Sequence, residues 1–449
     1  MKEKGMIKDK KFAVSAFLIA GLLLFGVTGA SAQEFGFGEG ATDLGLPAAE
    51  VAPASAGATL GGEVSFSILA FPGELVDGDF TNSTALPAAK LDVEASGSKS
   101  DAFIGVNLDK KLLAASPSDI LDEAWLRIFA GQTTIQGGIM RAAWGRADSL
   151  SVLDVLNPRN LSDLTLRDEK DRKIAVPMLR LTRSLGEKFS ADLVYLPWFE
   201  GDRIAMTGLW TPSQVITLQQ LPGVSFAALP DTKSLDYGQA GLRFTAVLKG
   251  MDLGAQYFYG YLPTPYFDLS GYLGSLSPIT IGYNRYHHMG VDLATVMAGF
   301  NVRLEAGANL TEDWLGDDPL TYNQAIVWSA GFDRDLFAAI NLNVQAMGKV
   351  RLNHDKITTA LDIESGTKIT TTQVAALLSR SFMRDTVKLE LLGILGAEKM
   401  DYMVEPGIVL TIGEAELALR GRYFGGDAEG DFGQFNDRSY VSISSKYAF

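Results

Sequence analysis

The sequence predicts an all-β chain that forms a single transmembrane antiparallel β-barrel after a cleaved signal peptide. Three observations lead to this fold class: a leader-like N-terminus, a repeated two-residue alternation of apolar and polar side chains, and an alternation of short with long connections. We expect a signal peptide at 1–32, a flexible periplasmic lead-in at 33–57 and the outer-membrane barrel at 58–449.

The first 32 residues have the order of a secretory signal peptide. Five lysines precede an apolar run from Phe12 to Gly29, and small residues stand at Ala30 and Ala32. The run has a borderline length for a membrane anchor, but the small-residue site favours cleavage after Ala32. Residues 33–57 are rich in Ala, Gly and Pro without periodicity, which is typical of a flexible lead-in.

The composition excludes several classes of protein. With no cysteine, the chain has no disulfide, no thiolate metal ligand and no cysteine nucleophile. It carries 39 basic and 53 acidic residues, and loss of a leader with five lysines and two acidic residues gives a net charge of −17. Such a charge disfavours nucleic acid as a partner. No second apolar run reaches the length of a transmembrane helix, which leaves strands as the spanning elements.

The alternation is clear between Ala338 and Gly348. One face carries Ile340, Leu342, Val344 and Ala346, and the other carries Asn341, Asn343 and Gln345. A helical period of 3.6 would mix these residues. A barrel places the apolar face against lipid and the polar face inside, whereas a soluble β-sandwich turns the apolar face inward. The periodicity alone fits both folds, and the leader favours the barrel.

Eighteen predicted strands give the alternation of short and long connections, with sixteen or twenty as alternatives. Tight turns fall at 185–187, 249–251, 298–299 and 412–414. An even number places both termini in the periplasm, as in bacterial single-chain barrels. The strands are predicted at 62–71, 88–98, 101–110, 118–130, 133–146, 173–184, 188–199, 235–248, 252–262, 283–296, 299–311, 322–333, 337–351, 369–383, 386–397, 402–412, 415–424 and 437–449.

The last predicted strand ends in an aromatic residue. Val441, Ile443, Tyr447 and Phe449 share one face. This ending resembles the signature that the outer-membrane insertion machinery reads. We therefore expect Phe449 to act in targeting, together with Ala30 and Ala32 in the leader, and we expect the insertion machinery and outer-membrane lipid as partners.

Several short motifs stand out in the middle of the chain: MRAAWGR at 140–146, LNPR at 156–159, VPM at 176–178, RYHHMGVDL at 285–293 and RLEA at 303–306. These motifs resemble a family of large porin-like barrels of Gram-negative outer membranes that is catalogued as a domain of unknown function. The resemblance covers residues 133–350 and implies a barrel without a defined substrate.

The three histidines do not predict a catalytic or metal site. His287 and His288 are neighbours on a predicted strand, so their side chains point to opposite faces and cannot chelate one ion. His354 lies in a predicted external loop. No spacing suggests a histidine paired with a nucleophile, so we expect no enzyme, no cofactor and no metal.

Charged residues of both signs are predicted to face the interior and line a pore. A barrel of eighteen strands is too wide for its own side chains to fill, which favours a water-filled passage over a plug. The predicted pore-lining residues are Glu123, Arg127, Arg180, Asp192, Arg243, Asp292, Arg303, Glu305, Lys388, Glu390, Arg420 and Arg422.

The long connection at 147–172 has two interpretations. Its charge run from Arg167 to Lys173 is typical of a solvated loop. Alternatively the segment folds into the lumen and narrows it, with Asn157 and Pro158 at its turn.

Two further connections are unusually apolar for external loops. They either pack against each other as a cap or form a vestibule that admits apolar solutes. Their large apolar residues are Ile204, Met206, Leu209, Trp210, Val215, Ile216, Leu218, Leu221, Val224, Phe226 and Leu229 in the first, and Leu262, Tyr266, Phe267, Leu269, Tyr272, Leu273 and Leu276 in the second.

The sequence therefore predicts an outer-membrane channel for passive diffusion of small solutes. One alternative is uptake or export of hydrophobic molecules through the apolar loops, and another is a surface adhesin displayed on a barrel. The solute and the oligomeric state, monomer or trimer, stay open.

Overall fold

A computed structural model describes residues 57–77, 81–109, 120–148 and 151–449. The predicted signal peptide at 1–32 lies outside these residues. So does the predicted lead-in at 33–57, except for Gly57, which is the first residue of β1. No helix in the described part of the chain is long and apolar enough to cross a membrane.

The described residues form twenty strands and a few short helices. The strands are β1 (Gly57–Ala70), β2 (Thr84–Ser96), β3 (Ser100–Asp109), β4 (Leu121–Ala130), β5 (Thr133–Met140), β6 (Val176–Ser184), β7 (Phe189–Leu196), β8 (Gln239–Leu248), β9 (Met251–Tyr261), β10 (Tyr266–Asp268), β11 (Thr280–Gly282), β12 (Arg285–Met297), β13 (Phe300–Thr311), β14 (Ala325–Asp335), β15 (Ile340–Arg351), β16 (Thr370–Phe382), β17 (Val387–Gly396), β18 (Asp401–Ile412), β19 (Ala415–Gly425) and β20 (Tyr440–Ala448). The α-helices are α1 (Pro72–Asp77), α2 (Glu169–Arg172), α3 (Ser213–Gln219) and α4 (Ser270–Ser275), and 3₁₀ turns lie at Leu235–Tyr237, Phe337–Ala339, His354–Lys356 and Gly433–Phe435.

Eighteen of these strands form one closed antiparallel barrel, and β10 pairs only with β11 in a separate hairpin on the external side. Neighbouring barrel strands pair in chain order, β9 pairs with β12, and β1 pairs with β20, with Ile68 opposite Ile443. Gly62 and Phe449 exchange two backbone hydrogen bonds of 3.0 Å at this seam. The predicted fold class and strand number are confirmed, while recognition of Phe449 by the insertion machinery stays a prediction.

The barrel is a transmembrane protein of the bacterial outer membrane. Large apolar side chains alternate along the strands and are exposed on the outer face, for example Val64, Phe66, Leu126, Leu193 and Val291. Exposed apolar surface of this extent is unfavourable in water but fits a bilayer, and closure leaves no unpaired strand edge in lipid. The alternative of a soluble sandwich is thereby excluded.

The main difference from the predicted strands lies at the end of β5. Alternation in the sequence extends this strand to 146, but the strand ends at Met140, and β6 begins at Val176 instead of 173. The chain leaves the wall at Arg141 because its side chains find partners inside the barrel. The apparent alternation of 141–146 therefore reflects contacts with the barrel interior and not with lipid.

The two faces of β15 should differ in their tolerance of charge. Val344 faces lipid, and Asn343 faces the interior, where its amide donates to Asp148 (2.8 Å) and its register partner is Asp333. Val344→Arg should lower the free energy of unfolding by about 2–4 kcal/mol near the bilayer centre, whereas Asn343→Arg meets two carboxylates and should cost much less. Urea titrations of folding into lipid vesicles measure both values. Equal losses for the two variants would contradict the assigned faces.

Candidate functional site

The connection between β5 and β6 crosses the barrel interior. Asp148 accepts hydrogen bonds from Arg303 on β13 (3.0 Å) and Asn343 on β15 (2.8 Å). Further along the same connection, Arg167 donates to Glu390 on β17 (2.7 Å). These contacts lie on a wall several strands away from β5 and β6. We call residues 141–175 the inserted segment, of which 149–150 lie outside the described residues.

The segment begins with contacts to the wall that is nearest to β5. Arg141 forms an ion pair with Glu123 of β4 (3.3 Å), and its backbone N–H donates to the same carboxylate (2.6 Å). The Trp144 indole N–H donates to Asp192 of β7 (3.0 Å), which also pairs with Arg180 of β6 (2.9 Å). Trp144 and Asp192 are buried, so these bonds form away from bulk water.

A second buried network is formed by Arg146, two residues after Trp144 in the inserted segment. The Arg146 guanidinium donates to Asp292 on β12 (2.9 Å), and the other oxygen of Asp292 lies 2.7 Å from Arg243 on β8. Arg243 also donates to Gln256 on β9 (2.7 Å), whose amide donates to the backbone carbonyl of Leu153 (2.7 Å). Buried charges need such partners because desolvation is costly.

Glu305 of β13 holds the turn of the inserted segment. Its carboxylate accepts the backbone N–H groups of Arg146 (2.6 Å), Ala147 (2.9 Å) and Val152 (2.9 Å), and the Ser151 hydroxyl donates to it (3.0 Å). Gly145 precedes this turn with φ +96°, where a Cβ would collide with the same carboxylate. One buried side chain thus satisfies three backbone donors of the described part of this turn.

Glycines in the wall receive the large apolar side chains of the inserted segment. Leu153 is fully buried and lies over Gly290 of β12 and Gly307 of β13, where a Cβ would contact its methyl groups. The Trp144 ring covers Gly241 of β8 in the same way. These recesses explain why the wall carries glycine at inward-facing positions.

Asn157 fixes the return of the chain toward β6. Its side-chain oxygen accepts from the Ala142 N–H (2.8 Å), and its amide donates to the carbonyls of Met140 (3.1 Å) and Ile174 (2.9 Å). It therefore clamps the end of β5, the inserted segment and the start of β6 together. The predicted turn at Asn157 and Pro158 lies inside the barrel.

The later part of the inserted segment is held by ion pairs. Arg167 bridges Glu390 (2.7 Å) and Glu405 of β18 (2.8 Å), and Glu405 also accepts from Arg422 of β19 (2.6 Å). Asp171 pairs with Lys90 on β2 (2.6 Å).

The inserted segment therefore has two parts. The anchored half, residues 141–157, carries Trp144 and Leu153 with 2% and 0% exposure. The ion-paired half, residues 158–172, carries Arg167 and Asp171 with 26% and 34% side-chain exposure.

The Asp148 carboxyl group, at the tip of the inserted segment, has a raised pKa. Burial raises the pKa of its carboxyl group, although Arg303 and the hydrogen bond from Asn343 oppose this shift. The Asp148 side chain is only 13% exposed, so it is less solvated than a side chain in an ordinary surface loop.

All twelve charged residues predicted to line the pore have polar partners in the barrel interior. The pairs are Glu123–Arg141, Arg127–Asp101, Arg180–Asp192, Arg243–Asp292, Arg303–Asp333, Lys388–Glu390, Arg420–Glu390 and Arg422–Glu405, and Glu305 accepts from the backbone of the inserted segment. Sequence reasoning did not single out Arg146, Asp148 or Arg167. Arg146 belongs to the MRAAWGR motif and Arg167 to the charge run, whereas Asp148 had no signal beyond its place in the long connection at 147–172. Whether the twelve line a conducting pore stays a prediction.

The histidines lie on opposite faces, as predicted. His288 is buried inside the barrel and bonds to Asn309 (2.7 Å), whereas His287 faces outward and bonds to Tyr257 (2.7 Å). His354 lies in the loop between β15 and β16. No cluster of metal-ligating side chains is found among the described residues.

The two apolar loops pack against each other. Ala227 donates to the Ile279 carbonyl (2.9 Å), and the Ile279 N–H donates to Ser225 (2.8 Å). Val215 of the first loop is buried with Phe267, Tyr272 and Ile279 of the second. Between the two interpretations of these loops, the packing favours the cap.

No family model matches the sequence, and no curated protein matches it. Solved structures with a similar fold are outer-membrane proteins. A mutant of the Rh. blastica porin is 9% identical over 88% of this chain and 100% of that chain, with a TM-score of 0.42. The outer membrane channel DcaP of Acinetobacter baumannii is 10% identical over 88% and 98%, with a TM-score of 0.42. OccAB4 of the same species is 10% identical over 89% and 99%, with a TM-score of 0.46.

Filling a glycine recess should displace the inserted segment. A Cβ at Gly290 would collide with Leu153, whereas a Cβ at Gly393 has no heavy atom within 4 Å. We expect Gly290→Ala to lower the free energy of unfolding by about 1–3 kcal/mol through overpacking and to accelerate tryptic cleavage within 141–173. Gly393→Ala is the matched control and should change neither. Identical cleavage rates for the two variants would show that Leu153 does not anchor the segment.

Proposed function

We propose that the protein is a passive outer-membrane channel for small hydrophilic solutes, and that the inserted segment forms its constriction. The observation that carries this proposal is the path of 141–175 from β5 to the partners of Arg167 on β17 and β18. A chain held across a barrel divides the lumen and leaves a passage narrower than the barrel. The interior of an eighteen-stranded barrel is too wide for the side chains of its wall to fill.

Charges of both signs support a passage filled with water. The side chains of Lys90 and Asp171 are 31% and 34% exposed, and those of Arg127 and Asp101 are 31% and 13% exposed. A plug would bury such pairs on all sides, as the anchored half of the inserted segment does with Asp292. Paired charges that stay partly hydrated suit hydrophilic solutes of either sign.

The packing of the apolar loops speaks against uptake of hydrophobic molecules. Such uptake needs apolar side chains that are open to a ligand. Val215, Phe267 and Tyr272 are instead buried against one another.

Removal of one side chain of the inserted segment should widen the channel. Arg167→Gln breaks the ion pairs to Glu390 and Glu405, while Glu405 keeps Arg422 and Glu390 keeps Lys388. The wall therefore stays paired, while the ion-paired half loses its tether through Arg167 and keeps the Lys90–Asp171 pair and the hydrogen bond from Arg422 to the Leu164 carbonyl. We expect a larger single-channel conductance in planar bilayers, because a charge-assisted tether to the opposite wall is lost.

Lys399→Gln is the control for this experiment. Lys399 pairs with the exposed Glu429 in an external turn, away from the inserted segment. It should leave the conductance at the wild-type value. Absence of conductance in the wild-type protein would overturn the channel, and equal conductance of Arg167→Gln and wild type would overturn the constriction.

A further inference from the structure

A strip of aromatic and charged side chains lies on the interior wall formed by β3 and β4. The rings of Phe103 and Trp125 are nearly parallel, with centroids 5.6 Å apart and an interplanar angle of 17°. The Arg127 guanidinium lies 5.2 Å from the Trp125 ring centroid and 5.4 Å from that of Phe129. We call Phe103, Trp125, Arg127 and Phe129 the aromatic strip.

The strip faces the interior and not the lipid. It shares the face of β4 that carries Glu123, whose carboxylate binds Arg141 of the inserted segment. The alternate residues Leu126 and Ile128 are exposed on the outer face. The aromatic strip is thus a part of the lumen wall.

The rings are only partly covered by protein. Phe103, Trp125 and Phe129 are of intermediate exposure, and Trp125 packs with part of its ring against the buried cluster that contains Trp144 and Phe258. Apolar ring surface in an aqueous lumen is unfavourable unless something covers it.

Two neighbouring positions on β3 and β5 are occupied by glycine. Gly138 of β5 stands opposite Trp125, and Gly105 follows Phe103 on the same face of β3. A Cβ at Gly105 would lie 3.0 Å from the Phe103 ring. Glycine at these two positions contributes no side chain that could cover the rings.

Polar groups border the strip. Asp101 binds the Arg127 guanidinium (2.8 Å), and Gln136 of β5 is the register partner of Arg127. Asp92 of β2 pairs in register with Gly105. Carboxylate, guanidinium and amide groups therefore border a cluster of partly exposed aromatic rings.

We propose that the aromatic strip is a binding subsite for a saccharide, an inference that rests on the proposed channel and names the class of its solute. The C–H face of a sugar ring carries partial positive charge and stacks on the negative face of an aromatic ring. The sugar hydroxyls can donate to Asp92 and Asp101 and accept from Arg127 and Gln136. A fatty acid would place its apolar chain against these polar groups, and an anion would be repelled by the carboxylates of Asp92 and Asp101. Both ligands therefore fit this strip less well than a saccharide.

The experiment measures binding of maltohexaose to the purified full chain in two ways. Interruptions of the single-channel current report occupancy of the lumen, and isothermal titration calorimetry in detergent reports binding without any conductance. Trp125→Leu and Phe103→Leu remove a ring but keep apolar volume, and Trp125→Phe restores a ring. Trp328→Leu on the outer face of β14 is the control.

We expect the two Leu variants to bind maltohexaose about tenfold more weakly. Trp125→Phe and Trp328→Leu should bind like the wild type. Equal binding by all variants, or no binding by the wild type in either assay, would overturn the inference. So would binding of phenyltrimethylammonium at the strip without maltohexaose, which would indicate an organic cation instead.

The two proposals fail separately. A wild-type protein that conducts ions but does not bind maltohexaose contradicts the saccharide subsite alone. A wild-type protein that never conducts contradicts the channel, and the calorimetric titration of the wild type and the Leu variants still decides whether the strip binds a saccharide.

Discussion

The account depends on the carboxylate of Glu305, which accepts three backbone N–H groups and one hydroxyl at the turn of the inserted segment. Backbone groups inside a barrel that do not belong to its strands need other partners, because an unsatisfied buried donor costs about 1–3 kcal/mol. Glu305 supplies several of these partners at once. This turn places Asp148 beside β15 and Leu153 over the glycines of β12 and β13.

The barrel and the inserted segment depend on each other through charge. Arg146, Arg243 and Asp292 are buried inside the barrel, and loss of one partner of such a group costs about 3–5 kcal/mol because a charge is left unpaired. Arg146 of the inserted segment thus partners the buried charge of Asp292 in the wall, and Asp292 in turn partners the buried charge of Arg146. The carboxylates of Glu390 and Glu405 are also buried, but each keeps a second cation, so the Arg167 contacts can be removed without leaving a wall carboxylate unpaired.

The strands could be predicted from the sequence because alternation is a local signal. Leu342 and Asn343 already differ in polarity, and the faces assigned to β15 are those that the structure has. The path of the inserted segment could not be derived in this way. Arg146 and Glu305 are 159 residues apart, and no local sequence pattern around either residue predicts that they are in contact. The alternating look of 141–146 even extended the predicted β5 past Met140.

The central claim is that residue 148 lies inside the barrel beside β15, and a cross-link tests it most directly. The chain has no cysteine, so Asp148→Cys with Asn343→Cys gives the protein its only two thiols. With a short bis-maleimide applied to outer membranes, we expect an intramolecular cross-link that mass spectrometry detects between these positions. The pair Asp148→Cys with Ser444→Cys on β20 is the control and should stay unlinked. The account would be contradicted if the 148–343 cross-link did not form and a membrane-impermeant maleimide labelled the Asp148→Cys variant as fast as a Glu429→Cys variant, whose position is exposed, because the segment would then lie outside the barrel.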